Sequence, residues 1–540
     1  MPEPADLIIT QARCFTADPA NPRAEAVAVR GNRIVCVGSA EEVDAWRGPH
    51  TRVVDGQGRT LMPGFIDSHF HLLSGSIELD NIQLSDVRTL DDLAAAVHDY
   101  ADRRPDRLWL AGAGLPYQIL PDDQPLTRHH LDAILADRPL IVFAYDAHTA
   151  WANTQALRRA HLLQAGKVVA PNSEIVLGPD GLASGELRES GASGPILDLI
   201  PEPSAADRRT LLRQGLRQAA EWGVTSVHNM DGDAEQLMLY AALEDLDELT
   251  LRVYVPYSVK PDTPIEALAE AAALREMHRS EMVRGGCVKF FMDGVIESYT
   301  ALVLDDYADR PGHRGAANFS AEHFTQLATE ADRLGLQIFV HAIGDAAVRR
   351  TLDGFQAAQR ANGRPLAACR HRVEHIELIH PDDLPRFAEL GVIASMQPLH
   401  APLAASGSDV WPARVGSLRW DRSFAWRSLR EAGARLVFGS DWPVVSQNPL
   451  RGVHAALNRE PWQAGGVAQR LTLEDTLLAY TRAAAYAEFQ EDRKGQLRVG
   501  MWADLVLLSA DLFATSVETL DQVKPVMTVC DGRVVYEVIR

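Results

Sequence analysis

The sequence predicts an α/β fold organised around a parallel barrel, and three observations favour it. Short apolar segments alternate with helical segments through the middle of the chain, as in parallel βα units. Eight of these segments have the composition of strands, which is the number that closes a (β/α) barrel. Both ends of the chain are instead rich in short β segments. We therefore predict a TIM (β/α)8 barrel with a small β-sandwich formed by both termini.

The β-sandwich is predicted to combine residues 1–62 with residues 490–540. Residues 26–38 form one predicted hairpin, and residues 526–536 form another, each with a glycine in its turn. Neither end alone has enough strands to bury a face, so we expect the two ends to pair. Two independent β appendages are the alternative.

The barrel is predicted within residues 63–489. Its candidate strands are 65–71, 224–228, 251–255, 287–291, 337–341, 372–375, 392–396 and 436–441. About 150 residues separate the first candidate strand from the second, which is too many for one crossover. Residues 80–205 should therefore form an inserted subdomain after the first barrel strand, and a smaller insertion is expected at about 398–425.

The composition predicts a large packed core and argues against a nucleic-acid-binding surface. The 540 residues are 46% hydrophobic and carry a net charge of -20, with no basic run to contact phosphates. The five cysteines are odd in number and widely spaced, which argues against a disulfide framework and suits a reducing compartment. The first residues do not resemble a secretory signal sequence, and the sequence contains no apolar run long enough to span a bilayer. We expect a cytoplasmic protein without a membrane partner.

The first candidate strand ends in a pair of potential metal ligands, His69 and His71. Residues two apart on a strand point to the same side, so the two imidazoles should share one face. Neutral imidazole is a common metal ligand. The same pair could instead be two partly buried histidines that are satisfied by hydrogen bonds.

Four other strands end in residues that suit the same site: Lys289, His341, His375 and Asp441. In a parallel barrel the carboxyl ends of the strands converge on one mouth, so we expect these side chains to meet His69. Each has an alternative when taken alone. The histidines could belong to the core, and Asp441 could cap the following helix. Their agreement is the main evidence for a metal site.

Lys289 lies inside an apolar strand, where an unpaired ammonium is costly to bury. It could form a salt bridge with Asp293 or Glu297. Alternatively, its amine could have a lowered pKa, react with CO2 and become a carbamate that bridges two metal ions.

This order of residues resembles the two-metal form of the amidohydrolase superfamily. Several longer sequence motifs are similar to its amidohydrolase-3 (YtcJ-like) branch, which includes N-substituted formamide deformylases. The similarity covers nearly the whole chain. The motifs that carry the similarity are Pro63-Gly-Phe-Ile-Asp-Ser-His-Phe-His71, Asp146-Ala-His-Thr-Ala-Trp-Ala-Asn153, Val288-Lys-Phe-Phe-Met-Asp-Gly294, His341-Ala-Ile-Gly-Asp345, Gly439-Ser-Asp-Trp-Pro443 and Gly500-Met-Trp-Ala-Asp-Leu505.

The resemblance implies a buried metal ion and a second metal ion that share carboxylated Lys289. The implied ligands are His69, His71 and Asp441 for the first ion, and His341 and His375 for the second, with N6-carboxylysine at position 289 as the bridge. Zinc suits this mixture of nitrogen and oxygen ligands, and manganese or iron could replace it. Asp441 would accept a proton from a metal-activated water and pass it to the leaving nitrogen.

Four residues are predicted to contact the substrate. His148, in the insertion, should lie over the mouth and act on the substrate carbonyl, while Asp293, Glu297 and Trp442 should line the pocket. Each could instead be structural, as a hydrogen-bonded loop histidine, an ion-paired carboxylate or a packed aromatic residue. Asn229 departs from the resemblance, since related sequences often carry Asp there, and we expect it to affect the pocket rather than the metals.

The leading hypothesis is a metal-dependent amidohydrolase that cleaves a C–N bond in a small amide or N-substituted formamide. A mononuclear deaminase of the same superfamily is the alternative, and it would not need Lys289. A non-catalytic binding or regulatory barrel is the alternative from another class. A homodimer is an expectation carried by the resemblance alone.

Overall fold

The computed structural model describes residues 3–121, 124–164, 172–404 and 409–538. Within these ranges, none of the helices combines the length and the apolar character that crossing a bilayer requires.

Eight parallel strands form the barrel in the order in which they occur in the chain, and this confirms the predicted fold class. All eight predicted strands are present, and nearly all their residues are buried, as expected for a parallel sheet covered by helices. The strands are Phe65–Phe70, Val224–Asn229, Arg252–Ser258, Val283–Phe291, Gln337–Ala342, Arg372–His375, Ile393–Met396 and Arg435–Phe438.

The first and eighth strands meet at their carboxyl ends, where the chain continues into the predicted ligands. The amide of Asp441 donates to the carbonyl of His69 at 2.7 Å, and the amide of His71 donates to the carbonyl of Trp442 at 2.9 Å. Gly439 permits this approach, because a Cβ there would lie 2.4 Å from the backbone nitrogen of His69. The barrel seam and the predicted metal site are therefore formed by the same residues.

Amphipathic helices cover the barrel. In Ala321–Arg333, for example, Ser320 caps the first turn, and Phe324 and Leu327 are buried at helical spacing. The helices that follow barrel strands are Ala205–Glu221, Ala234–Asp245, Leu268–Met277, Ala321–Arg333, Asp345–Asn362, Leu384–Leu390, Trp426–Glu431 and Pro449–Asn458. Shorter or additional helices are Ala40–Asp44, Leu72–Glu78, Leu366–Cys369, Val410–Val415, Leu473–Ala479 and Arg482–Ala487.

The ends of the chain form two small sheets that pack on each other, one from amino-terminal strands alone and one from strands of both ends. Thr60–Pro63 pairs antiparallel with Leu505–Leu508, so the two ends of the chain share one sheet. Ile9 and Val27 from one sheet and Met527 from the other belong to a common core. The strands are Leu7–Thr10, Ala26–Arg30, Arg33–Gly38 and Arg52–Asp55 in one sheet, and Arg13–Phe15, Arg23–Ala24, Thr60–Pro63, Leu505–Leu508, Pro525–Cys530 and Arg533–Glu537 in the other. The boundaries at residues 62 and 490 stay predictions.

The described part of the long insertion after the first barrel strand contains a six-stranded sheet and four helices. It has its own core, in which Leu93, Leu131 and Val142 are fully buried. Its strands are Ile82–Gln83, Leu110–Leu115, Leu140–Ala144, Thr149–Ala152, Glu174–Leu177 and Ala183–Arg188, and its helices are Leu90–Arg103, Arg128–Ile134, Thr154–Arg159 and Ser190–Leu197. The loops after its third and sixth strands in this order, which carry His148 and Glu189, reach the barrel mouth.

Candidate metal centre

Three of the predicted ligands meet at the barrel seam. The Nε2 atoms of His69 and His71 each lie 3.2 Å from Oδ1 of Asp441. Burial alone would raise the pKa of Asp441, but the adjacent imidazoles hold it well below its usual value, so the carboxylate is ionised. Two ring nitrogens and one carboxylate oxygen within this distance form a suitable set of donors for a divalent metal.

His375 and His341 bring two more imidazoles to the same point. The ring centroid of His375 lies 4.6 Å from that of His69 and 4.4 Å from that of His341. Burial, followed by neighbouring positive groups, lowers the pKa of both His341 and His375 well below the usual value. The two rings are therefore neutral at physiological pH, which is the form that binds metal.

Lys289 completes the predicted set and has an unusual environment. Its side chain is 1% exposed, and its Nζ has no hydrogen-bond partner among the described residues. The salt bridge to Asp293 or Glu297 is not observed. Burial lowers the pKa of Lys289 to about 8, although the carboxylates of Glu374 and Asp441 oppose this shift. A substantial fraction of the amine is therefore neutral near physiological pH.

Two carboxylates that sequence reasoning missed orient the first pair of histidines. Oε2 of Glu374 lies 2.8 Å from Nδ1 of His69, and Oδ1 of Asp231 lies 3.2 Å from Nδ1 of His71. Each contact fixes the ring so that Nε2 faces Asp441. Arg372 donates to both oxygens of Glu374. Burial alone would raise the pKa of Glu374, but the positive charge of Arg372 helps to lower it to about 2.

A third missed carboxylate positions a histidine that was not predicted. Nε2 of His400 lies 3.7 Å from Oδ2 of Asp441, and its Nδ1 lies 3.4 Å from Oε1 of Glu377. The indole nitrogen of Trp411 donates to the other oxygen of Glu377 at 2.7 Å. His400 follows the seventh barrel strand in the segment Gln397-Pro-Leu-His400. The expectation that residues after barrel strands converge on the mouth could therefore have identified it from the sequence.

His148 enters the mouth from the insertion, as predicted for its position. Its ring centroid lies 5.5 Å from that of His341, and its Nδ1 lies 2.8 Å from Oε2 of Glu189. Burial acts to lower the pKa of His148, but Glu189 and Asp146 outweigh it and raise the pKa to about 9. The expected bond to Asp146 is made by the backbone amide of His148, while Glu189 holds the ring.

Asp293 and Glu297, which were predicted to contact substrate, are deeply buried and already accept hydrogen bonds from the protein. Asp293 accepts hydrogen bonds from the amides of Leu302, Ile343 and Gly344 at 2.8 to 3.0 Å, so it ties two loops together. Glu297 accepts from the Tyr145 hydroxyl at 3.0 Å. Burial, with the nearby carboxylates of Glu377 and Asp146, raises the pKa of Glu297 to about 8.

Trp442 and Asn229 also have structural contacts. The Trp442 ring stacks on Phe70 with centroids 5.0 Å apart, and it leaves no room for a side chain at Gly75. Oδ1 of Asn229 accepts from the amide of Leu72 at 2.8 Å, which anchors the segment directly after His71. Contacts between substrate and Asp293, Glu297 or Trp442 stay predictions.

The mouth fits a metal because buried polar atoms converge there without protein partners. They are Nζ of Lys289, Nδ1 of His375 and Nε2 of His400, none of which has a hydrogen-bond partner among the described residues. Such atoms are costly to bury, and a divalent cation would satisfy the imidazole nitrogen of His375 directly. The donor set of imidazoles and carboxylate suits zinc, manganese or iron.

A second cluster of ligand-type residues, Asp332, Cys369 and His371, lies near the amino-terminal ends of strands five and six. Nδ1 of His371 already accepts from the amide of Ile338 at 3.1 Å, and Asp332 accepts from Asn362 at 2.7 Å. These bonds explain the cluster as structural without a metal.

Comparison with known proteins gives consistent matches. The model of the amidohydrolase family matches residues 52–536. The chain is 30% identical over 521 residues to Protein LONG AFTER FAR-RED 3 of Arabidopsis thaliana, covering 94% of this chain and 88% of that protein. It is 25% identical over 551 residues to the N-substituted formamide deformylase of Arthrobacter pascens, covering 99% of each. A solved metal-dependent hydrolase from Pyrococcus furiosus, itself uncharacterized, superposes with a TM-score of 0.69 at 25% identity, covering 93% of this chain and 98% of that one.

Proposed function

The chain belongs to the amidohydrolase family and is a metal-dependent hydrolase of C–N bonds, and from this premise we propose that it cleaves a small amide such as an N-substituted formamide. The observation that carries the proposal is the convergence of buried, partnerless ligand atoms at the barrel mouth. The name of the Arthrobacter pascens relative supports the substrate class.

We propose that two divalent ions bind at the mouth, zinc in the first instance and manganese or iron as alternatives. The residues that would hold them are His69, His71, Lys289, His341, His375 and Asp441. When bound, such ions lower the pKa of a coordinated water toward about 7 and polarise a carbonyl group as Lewis acids.

Lys289 is proposed to act as a carbamate. The lone pair of its neutral Nζ attacks the carbon of CO2, a C–N bond forms as the electron pair of one C=O π bond moves to oxygen, and the nitrogen releases one proton to water. The product carries two oxygens and a negative charge in place of an amine. The lowered pKa of Lys289 and its lack of a salt bridge favour this reaction, because both leave the nitrogen lone pair available.

Asp441 is proposed to move the proton. Its carboxylate is ionised and lies between the two histidines of the first strand, so it can accept a proton from the attacking water. It can then donate that proton to the nitrogen of the leaving amine.

Two histidines, each backed by a carboxylate, are proposed to bind the reacting amide from opposite sides. His148, held by Glu189, is protonated at neutral pH because of its raised pKa, and its Nε2–H can donate to the carbonyl oxygen as negative charge develops there. The ring of His400, held by Glu377, lies on the side of the mouth next to Asp441, with Nε2 3.7 Å from Oδ2 of that carboxylate. Their carboxylate partners fix both rings before substrate arrives.

The test is an amine-release assay of the metal-loaded protein with a panel of N-formyl and N-acyl amines. We expect hydrolysis that is lost with a chelator and restored by zinc or manganese. Elemental analysis should find two ions per chain, and mass spectrometry of native protein should find a mass increase that maps to Lys289.

The alternatives predict different results. A mononuclear deaminase would bind one ion, release ammonia from ring amidines and keep full activity in Lys289→Ala. A non-catalytic barrel would turn over neither class of substrate, and either result would overturn the proposed amide hydrolysis.

A further inference from the structure

A second cavity lies at the amino-terminal end of the barrel, opposite the metal centre. Its volume of about 610 Å3 falls in the range of small-molecule sites. Segments directly before or at the start of the fourth, fifth and sixth strands contribute to its walls. Five arginines line it, namely Arg275, Arg279, Arg284, Arg364 and Arg493, against a single lining carboxylate, Glu281. This concentration of positive charge contrasts with the net charge of -20 for the whole chain.

Several of these arginines are held in place by the protein. Nη2 of Arg284 donates to the carbonyl and to Oε2 of Glu488 at 2.8 and 2.9 Å, and its guanidinium lies 4.7 Å from the centre of the Tyr254 ring. Nη1 of Arg364 donates to the carbonyl of Asp332. A guanidinium has five N–H donors, so these contacts fix each group and leave other donors for a ligand.

Two glycines, which have no side chain, leave space along one wall of the cavity, and the side chain of Arg275 lies in that space. A Cβ at Gly286 would lie 3.3 Å from Cδ of Arg275, and a Cβ at Gly335 would lie 3.3 Å from its Nη1. Nη1 of Arg275 also donates to the carbonyl of Gly335 at 3.2 Å. The backbone therefore both makes room for this cation and orients it.

The positive charge is not fully balanced by carboxylates. Arg493 forms no ion pair with any described residue, and its guanidinium lies 5.7 Å from the centre of the Trp502 ring. The carboxylate of Glu281 is already bonded to Arg33 at 2.6 Å and to Asn32 at 2.9 Å. The other four arginines form ion pairs: Arg275 and Arg279 with Glu276, Arg284 with Glu488, and Arg364 with Asp332. An anion in the cavity would therefore meet one guanidinium group, that of Arg493, that has no ion pair among the described residues.

Two buried glutamines add neutral acceptors to the same cavity. Gln337 is 2% exposed and Gln490 is 9% exposed, and neither Oε1 atom has a hydrogen-bond partner among the described residues. Nε2 of Gln337 donates to the carbonyls of Arg370 and Ala487, so its oxygen is the end that remains unsatisfied. These oxygens can accept only from O–H or N–H groups of a ligand or water.

We propose that this cavity binds a phosphate monoester of a small hydroxylated molecule. The arginine forks match the geometry and charge of a phosphate dianion, and the glutamine oxygens match hydroxyl or amino donors on the organic part. The site is separate from the metal centre and does not depend on the identity of the amide substrate.

The test is calorimetric titration of the full-length, metal-loaded protein with AMP, glucose 6-phosphate and inorganic phosphate. We expect at least one ester to bind ten-fold or more tightly than inorganic phosphate, because only the esters reach the glutamines. Arg493→Glu should weaken ester binding by at least ten-fold. Arg493 is exposed and unpaired, so this variant should fold.

Arg498→Glu is the matched control, because Arg498 is an exposed arginine of the same segment outside the cavity lining. It should bind the ester as the unmodified protein does. Three results would overturn the proposal: no binding of either ester, equal affinity for inorganic phosphate, or equal binding in the two variants. The last result would place the phosphate elsewhere, including at the metal ions.

Discussion

Two buried lysines inside the same barrel have opposite environments. Lys494, near the amino-terminal end, is 2% exposed, and its Nζ contacts Oε1 of Glu488 and donates to Oγ of Ser226. Lys289, near the mouth, is 1% exposed, and its Nζ has no hydrogen-bond partner among the described residues. The protein thus hydrogen-bonds a buried lysine amine at one end of the barrel, whereas the amine at the other end lies 4.4 Å from the centre of the Phe291 ring without a hydrogen bond among the described residues.

The same contrast extends to their neighbours. Near Lys494, Nη2 of Arg284 donates to Oε2 of Glu488 at 2.9 Å. Near Lys289, Nδ1 of His375 and Nε2 of His400 are buried, and neither has a hydrogen-bond partner in the described part of the chain. Burial of charge therefore does not by itself identify a functional site in this protein. Buried polar atoms without protein partners indicate a site where several ligand-type atoms converge, as they do at the mouth, because isolated ones such as Nε1 of Trp426 and Nε1 of Trp502 occur elsewhere.

The largest effect should come from Asp441→Asn. Asparagine keeps the size of the side chain and tolerates the left-handed backbone at this position, where φ is 62°. Loss of the carboxylate should lower kcat/KM by about 1,000-fold or more and reduce bound metal, as steady-state assays and elemental analysis would measure. Asp382→Asn, at an exposed site, is the control. An active Asp441→Asn variant would show that the mouth does not work as proposed.

The two lysines themselves give the next prediction. Lys494→Met should lower the free energy of unfolding by about 3 kcal/mol, because it leaves Glu488 buried with less compensation. Lys289→Met should leave the stability of chelator-treated protein unchanged or higher, because it removes a buried amine without a partner, while it abolishes activity. Urea unfolding of both variants checks this. Equal destabilisation by the two changes would break the contrast between the two ends.

A smaller effect is expected for the carboxylate that holds His400. Glu377→Gln keeps the shape of the side chain but replaces the charged acceptor of the ring, and activity should fall by about 10- to 100-fold with the protein still folded. The KM and kcat values should be separated, since a purely structural role would change stability rather than turnover. Asp382→Gln serves as a distant comparison, and unchanged kinetics in Glu377→Gln would remove His400 from the proposed machinery.

The last two predictions concern pH, and the change of stability per pH unit should have opposite signs at the two ends. Burial raises the pKa of Glu297 to about 8 from an ordinary value of 4.5, so its folded form binds more protons, and stability is lost as pH rises through this interval. Glu297→Gln should therefore gain stability relative to the unmodified protein between about pH 5 and about pH 8, by at most about 1.4 kcal/mol per pH unit.

Glu488 should show the reverse. Burial opposes ionisation, but Lys494 and His228 lower the pKa of Glu488 below its ordinary value, so its contribution is present above about pH 4.5 and is lost as pH falls further. The stability deficit of Glu488→Gln should shrink in acid, as urea unfolding at several pH values would measure. Parallel pH profiles for the Glu297 and Glu488 variants would contradict these assignments.

The fold could be predicted from the sequence because its signals are local. Eight apolar segments with β-rich ends were enough for the barrel and the companion sheets, and the excess length after the first strand located the insertion. His69 and His71 share a face as strand alternation requires. These features depend on neighbouring residues, which a sequence displays directly.

The missed residues depend on geometry that the sequence does not display. Glu374 and His375 are adjacent, so alternation predicts opposite faces, yet both contact His69. The reason is a left-handed backbone at His375, with φ of 73°, which turns its ring into the mouth. Glu189 and Glu377 lie on loops far along the chain from the histidines that they hold, and no local pattern indicates such pairs.

The seam between the first and eighth strands has a consequence for protein synthesis. Asp441 leaves the ribosome long after His69 and His71, and their backbones join only when the eighth strand is in place. A nascent or truncated chain that stops before this point has the early histidines but lacks both the carboxylate and the closure that holds them together. Stable metal acquisition should therefore occur only in chains whose barrel has been completed.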